Sequence, residues 1–371
     1  MNIGVFYPAL NVYGGAEYVT VIMANALAKA GHEVTLFSND PVNQAEINKY
    51  FSTKLSSSTK VIVKTTKIKP RSLLDFYQTI LKSYAFKNEV DTWIDCYSNR
   101  MFPWTNISYI HFPFFNHVCY NSSFPYLKNK RISTTAFLPN LLLEKSFFNK
   151  NQMLIANSYY TADEIKLFLN KSSFVIYPPV PADVFEGNVE AKRENLVVTI
   201  SRFSNNKGLE KIVNIAALAP ENVKFAVIGR IHNQAIYNDL KNTIKKQGLS
   251  NKIALYPDLS KSQLKLILHK AKVYLHLMEG EHFGISIVEG MAAGCTPVVH
   301  NSGGQREFVP KDNLYNDDVE AVEKVSFGVK EWCLRKAMEN REMAEMFREE
   351  KFAEQFMKMV DVYHYNKIGS N

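Results

Sequence analysis

Short apolar runs alternate with segments of helical periodicity through almost the whole chain. In the first half the strand-like runs are Ile3–Tyr7, Val34–Ser38, Val61–Lys64, Thr92–Cys96, Ile107–His111, Met153–Asn157 and Phe174–Tyr177. In the second half they are Leu196–Ser201, Lys224–Gly229, Ile253–Tyr256, Val273–Leu277 and Pro297–Asn301. The intervals have helical spacing, as in Ala16–Ala30, Tyr160–Leu169, Leu209–Ala217 and Gln263–Lys270. This alternation predicts an α/β fold of parallel, doubly wound sheets. The best boundary runs from Tyr177-Pro178-Pro179-Val180-Pro181 to Arg193-Glu194-Asn195, proline-rich and then polar, with a new buried strand after it. Two Rossmann-like domains joined there are expected to face each other across a cleft, with ligands outside the carboxyl ends of the strands. From about Glu339 the tail reads as one or two charged amphipathic helices.

At 371 residues and 46% hydrophobic content, the chain is long enough for two such domains, each with a sizeable core. It holds no run of about 18 apolar residues, so no membrane-spanning helix is expected. The start, Met1-Asn2-Ile3-Gly4-Val5-Phe6, reads as a strand and lacks the charged start and cleavage site of a signal peptide. Cys96, Cys119, Cys295 and Cys333 show no paired spacing. A reducing, cytoplasmic location and no structural metal are therefore expected.

Charge changes the picture because it is uneven. Between Lys49 and Lys87 nine basic residues accompany a single acid, Asp75, so this stretch alone matches the net charge of +8. Leu73, Leu74, Phe76, Tyr77, Ile80, Leu81 and Tyr84 give its second half an apolar helical face. A basic amphipathic stretch of residues 49–87 suits an anionic membrane surface. It also suits a solvated helix packed on its own domain. Nucleic acid is not expected as a partner, because no recognition-helix or zinc-finger pattern accompanies the charge.

The strand ends carry the candidate chemistry. Gly14-Gly15-Ala16-Glu17 follows the first strand and opens a helix, where glycines let a ligand approach the backbone. It does not have the dinucleotide fingerprint spacing, and alone it is also an ordinary turn. Ser201-Arg202-Phe203-Ser204-Asn205-Asn206-Lys207-Gly208 follows the first strand of the second half. Arg202 and Lys207, a planar fork and a point charge around one bend, suit a diphosphate, although a basic loop capped by Asn has the same composition. Tyr109-Ile110-His111-Phe112-Pro113 ends a strand and projects His111 at its carboxyl edge. A lone His is more often structural, and His117, His276, His282 and His300 compete with it. No His cluster has metal-ligand spacing.

The most informative stretch is Glu281-His282-Phe283-Gly284-Ile285-Ser286-Ile287-Val288-Glu289, with two carboxylates eight positions apart around a tight turn. It reads as a loop, a short helix and then a strand, with Glu281 before the helix and Glu289 about a turn inside it. An ionised carboxylate accepts two hydroxyls, which is what a sugar or ribose edge presents. Gly280, Gly284, Gly294, Gly303 and Gly304 around the pair suggest close ligand approach. Serine hydrolase, P-loop kinase and zinc protease motifs are missing.

In this order the motifs resemble the retaining GT-B glycosyltransferases of family four, the glycosyl transferases group 1. The resemblance runs from Gly14-Gly15 through His111, Arg202, Lys207 and the Glu281/Glu289 pair to Gly303-Gly304. Within the family, residues 109–113, 201–210 and 281–304 are most similar to the α-1,2-mannosyltransferases that extend lipid-linked oligosaccharide. Segments 40–105 and 115–150 have no clear counterpart, and the acceptor is usually read from that domain.

The resemblance implies a GT-B fold with an acceptor-side domain over 1–185 and a nucleotide-sugar domain over 190–349. A C-terminal helix of about 350–371 then has the option of packing back on the first domain. It implies transfer of a hexose from GDP-mannose or UDP-glucose to a glycan, a lipid-linked oligosaccharide at the cytosolic membrane face, with no metal or other cofactor. Arg202 and Lys207 would hold the diphosphate, Glu289 the ribose, and Glu281 with Phe283, Gly284 and Ile285 the donor sugar. His111 would touch that sugar near the reacting carbon, and Gly14 and Gly15 would lie close to donor and acceptor. The residues alone also admit a nucleotide-sugar epimerase or sugar phosphorylase on the same fold, or a non-catalytic nucleotide-sugar-binding module.

Overall fold

The computed structural model describes residues 1–8, 10–12, 14–38, 42–51, 53, 55, 59–63, 84–97, 104–112, 151–187, 192–205 and 207–368. Most of the basic stretch 49–87, all of segment 115–150, and Pro113 and Asn206 lie outside the described residues. Among the described residues no helix is long and apolar enough to cross a membrane.

The chain divides into two compact units, Met1–Pro179 together with Glu349–Asn371, and Val180–Arg348. The first unit carries β1 (Asn2–Phe6), β2 (Glu33–Ser38), β3 (Lys60–Val63), β4 (Thr92–Asp95), β5 (Ile107–Ile110), β6 (Met153–Ala156) and β7 (Phe174–Val175). They form one sheet in the order β3-β2-β1-β4-β5-β6-β7, with every pair parallel. The second unit carries β8 (Leu196–Ile200), β9 (Lys224–Gly229), β10 (Ile253–Pro257), β11 (Val273–His276), β12 (Thr296–His300) and β13 (Leu314–Tyr315). Their order is β10-β9-β8-β11-β12-β13, again parallel throughout.

The strands read as continuous apolar runs because both sheet faces are covered. Val197, Phe225, Val227, Val273, Leu275 and Val298 are buried in one core, and Val198, which follows Val197 on β8, is buried as well. In each sheet the winding reverses once, between β1 and β4 and between β8 and β11. Loops that leave adjacent strands in opposite directions open a crevice at the carboxyl edge, where α/β sheets hold their ligands.

Arg193, in the polar stretch before β8, is buried without a carboxylate partner among the described residues. Its guanidinium donates to the carbonyls of Leu268 (3.2 Å), Ala271 (2.7 Å) and Ala293 (2.6 Å) and stacks on Trp332. Those carbonyls end the helices Lys261–Lys270 and Ile285–Ala292. A cation at two helix C-termini satisfies orphan carbonyls and opposes both dipoles. It thereby fixes the helix that carries Glu289.

The final helix, Glu349–Ile368, belongs to the first unit. Phe352, Phe356, Val360 and Tyr363 share one helical face and are buried in the core of Ile3, Val5, Leu36 and Tyr109. Phe352 meets Tyr109 edge to face at 5.8 Å, Asn106 donates to the Tyr363 hydroxyl at 2.8 Å, and Tyr18 donates to the Glu349 carboxylate. Phe356 is fully buried. We expect Phe356→Ala to destabilise the first unit by about 3–5 kcal/mol. Calorimetry should show its transition shifted down while that of the second unit stays in place; an equal shift of both would contradict this assignment.

Candidate functional site

At the β8/β11 switch point the loop after β8 is rooted by Phe203, which is fully buried, bonded through its N–H to the Arg230 carbonyl at 2.8 Å and packed on Tyr237. With Phe203 inward, Arg202 beside it is exposed. Lys207, half-buried, directs its Nζ to Glu281 Oε2 at 3.2 Å and to Met278 Sδ at 3.0 Å. The next residue, Gly208, has φ +64°, and a Cβ there would sit 2.7 Å from the Leu277 carbonyl oxygen. The two loops of the switch point therefore touch through backbone as well as through charge.

The loop after β11 is fastened along its length. Gly280 N–H donates to Ser302 Oγ at 2.8 Å, and the Glu281 carbonyl accepts from Gly304 N–H at 2.8 Å. Gly303, at φ +72°, lies so close that a Cβ would fall 2.2 Å from that carbonyl oxygen. The turn Ser302-Gly303-Gly304 thus positions Glu281 through the backbone. Phe283 is buried against Phe308 and Phe347, and anchors the far side of the turn. Gly284 then takes a left-handed conformation at the N-cap of the helix Ile285–Ala292, with Ile285 its first residue and Glu289 about a turn inside.

The two carboxylates differ electrostatically. Burial acts to raise the Glu281 pKa, but Lys207 and His276 outweigh it and hold the carboxyl well below its usual range. His276 Nε2 lies 3.4 Å from Oε2, the oxygen that Lys207 also approaches. Glu289 is half-buried, and its carboxylate accepts no hydrogen bond from the described residues. Burial pushes its pKa up to about 7, with Lys261 offsetting only part of the effect. Nearby, Lys211 pairs with Glu279, and His300 Nδ1 meets Ser302 Oγ at 2.7 Å.

The remaining candidates lie in the first unit, at the carboxyl edge of its own sheet. Gly14 caps the first helix, and its N–H donates to Glu17 Oε2 at 2.8 Å. Glu17 is buried, and its other oxygen accepts from Tyr7 at 2.9 Å. Gly15 follows as the first helical residue. His111 is half-buried beyond β5, with Nε2 3.8 Å from Cys96 Sγ, its ring edge-on to Tyr109, and its carbonyl accepting from Asn157 at 2.8 Å. The structure thus joins Lys207, Glu281 and the Phe283–Ile285 turn within the second unit, with Arg202 on the same loop as Lys207. Sequence reasoning ranked His276 below His111 and did not single out Tyr7. Among the described residues no cluster of His, Cys, Asp and Glu has the make-up of a metal site.

Comparison with known proteins matches this geometry to a family. Residues 13–184 match Glycosyltransferase Family 4, and residues 182–352 match Glycosyl transferases group 1. A GDP-Man:Man(3)GlcNAc(2)-PP-Dol alpha-1,2-mannosyltransferase of Dictyostelium discoideum is 24% identical over 277 residues, covering 65% of this chain and 55% of that protein. The chain therefore spans about half the length of this relative. Sucrose-phosphate synthase from Thermosynechococcus elongatus superposes with a TM-score of 0.72 at 16% identity, covering 100% of both chains. Anabaena HepE, solved in complex with UDP and glucose, gives a TM-score of 0.72 at 16% identity, covering 98% of this chain and 100% of that one. The two sheets share the GT-B fold of these neighbours, and the two family matches abut and together reach from residue 13 to residue 352: the chain belongs to the family 4, group 1 glycosyltransferases.

Proposed function

We propose that this chain is a retaining, metal-independent hexosyltransferase that moves mannose, with glucose as the competing sugar, from a nucleotide sugar to a lipid-linked glycan. The observation that carries the reading is the Lys207–Glu281 pair at the β8/β11 switch point, with Glu289 on the helix that follows. The mannose and the lipid-linked acceptor rest on the names of relatives that are longer than this chain. The cytosolic membrane face rests on the basic composition of residues 49–87.

The chemistry follows from charge. In the transfer, the bond between the anomeric carbon and the diphosphate oxygen breaks, and the electron pair leaves with the diphosphate. The acceptor hydroxyl oxygen bonds to the same face of the carbon, and its proton passes to a leaving phosphate oxygen. Negative charge grows on the diphosphate as the bond breaks, so fixed cations stabilise the transition state more than the ground state. Lys207 and Arg202 take this role. Glu281, held ionised, accepts hydroxyls of the donor sugar beside the Phe283-Gly284-Ile285 turn, and Glu289 accepts the ribose hydroxyls. Within the same proposal, His111 contacts the transferred sugar and Gly14 and Gly15 approach donor and acceptor.

The direct test incubates GDP-mannose and UDP-glucose, separately, with polyprenyl-diphosphate oligosaccharide in mixed micelles. Sugar should move only when acceptor is present, and the new linkage should keep the donor's anomeric configuration. Donor conversion without acceptor would point to an epimerase, and phosphate-dependent cleavage to a phosphorylase. Lys207→Ala and Glu281→Ala should each lower the transfer rate by about a hundredfold or more while leaving the fold intact. Wild-type rates in both variants would sink the mechanism.

Glu289 adds a pH dependence. If the ionised carboxylate binds the ribose, proton and nucleotide compete. Donor affinity should then be flat above the Glu289 pKa of about 7 and fall as pH drops below it. The slope should approach about tenfold per pH unit. Calorimetry with the intact nucleotide sugar, whose diphosphate diester does not titrate in this range, measures it. Glu289→Gln should flatten the profile, and an unchanged slope in that variant would place the titrating group elsewhere.

A further inference from the structure

His276 ends β11 and is buried to within 4% of full enclosure. Among the described residues neither ring nitrogen has an aligned hydrogen-bond partner. An imidazole buried this way is costly to leave unmatched, and the charged group paired with it among the described residues is Glu281, with Nε2 3.4 Å from Oε2. The ring has little freedom to go elsewhere. It lies nearly parallel to Tyr274 at 16°, and its own carbonyl is fixed by the Tyr315 hydroxyl at 2.8 Å. The opposing carboxylate is fixed as well, by the Gly304 N–H on its backbone and by Lys207 on the same oxygen.

We propose that His276 is a positioning residue for the sugar-binding carboxylate: an imidazole carrying a proton on Nε2 that, together with Lys207, holds Glu281 Oε2 and turns Oε1 toward the donor sugar. The inference rests on the functional reading above and adds a residue to it. The tautomer follows from geometry. A lone pair on Nε2 would face the carboxylate across 3.4 Å, whereas a proton there gives a charge-assisted donor. With Oε2 engaged twice, Oε1 meets, among the described residues, only the N–H of the adjacent His282, at 3.2 Å. It retains acceptor capacity for a hydroxyl. A rigid strand-borne donor aligns that oxygen more tightly than Lys207, whose chain is long and flexible.

The test compares His276→Leu, which removes the donor, with His276→Gln, whose amide N–H reaches to about the same point. The readouts are kcat and the ratio of affinities for the nucleotide sugar and for the matching nucleoside diphosphate, using GDP-mannose with GDP and UDP-glucose with UDP. His276→Leu should lower kcat roughly 10- to 100-fold and reduce the affinity ratio, while leaving diphosphate affinity within about twofold. His276→Gln should recover kcat to within about threefold of wild type. In a Glu281→Gln background, His276→Leu should add little further loss, because the two residues act as one unit. If His276→Leu keeps wild-type kcat, or if both variants lose diphosphate affinity as much as kcat, the positioning role is overturned and the transferase reading stands. If the wild-type protein transfers sugar from neither donor, the transferase reading falls and this inference falls with it.

Discussion

The site depends on keeping one carboxylate charged in a place that disfavours charge. Glu281 sits in a half-buried turn at a sheet edge, where desolvation of an ion costs several kcal/mol unless a partner is fixed close by. Lys207 supplies the partner from a different strand's loop. The backbone bonds from Gly304 to Glu281 and from Gly280 to Ser302 then hold the loop, so the pair need not order itself when a ligand arrives. Gly303 allows this because no side chain fits between its backbone and the Glu281 carbonyl. At some distance, Arg193 pins the end of the helix that the turn opens. Each feature serves one requirement, a preorganised negative charge beside a preorganised positive one.

Two glutamates eight positions apart thus acquire opposite character. One is held ionised by its neighbours, and the other is pushed toward neutrality by burial with only Lys261 to offset it. This separation suits a ligand with two different polar ends. A permanently ionised carboxylate orients hydroxyls with a fixed polarity. A carboxyl near neutrality is cheaper to bury when the site is empty, and on the proposed reading it acquires its full charge as ribose hydroxyls replace water.

Much of this was legible in the sequence, for identifiable reasons. Parallel strands buried on both faces leave unbroken runs such as Leu196–Ile200 and Lys224–Gly229, and these stand out without a structure. The loop-helix-strand reading around Glu281 and Glu289 followed from glycine placement. What could not be read depends on residues distant in the chain. β13 is two residues long, too short for any periodic signal, and becomes a strand only by pairing with β12. Arg193 looks like a solvated charge in a polar linker until carbonyls 75 and 100 positions away converge on it. His276 looks like one histidine among several, and its importance arises only when the loop after β11 folds Glu281 back over it. The amphipathic tail announced a buried face, but its periodicity did not say which core would receive it; only the family resemblance pointed to the first domain.

That tail carries a consequence for how the chain is made. The second unit is continuous in sequence, from Val180 to Arg348, whereas the first is closed by residues that come after it. During synthesis the usual vectorial order is therefore inverted: the later unit has all its parts first, and the sheet begun at Asn2 stays open along one flank until Phe352, Phe356, Val360 and Tyr363 emerge. Through that interval Tyr109 and its neighbours lack the aromatic cover that Phe352 gives them in the folded unit. The sequence distance between Asn106 and Tyr363, 257 positions, sets the length of this vulnerable window.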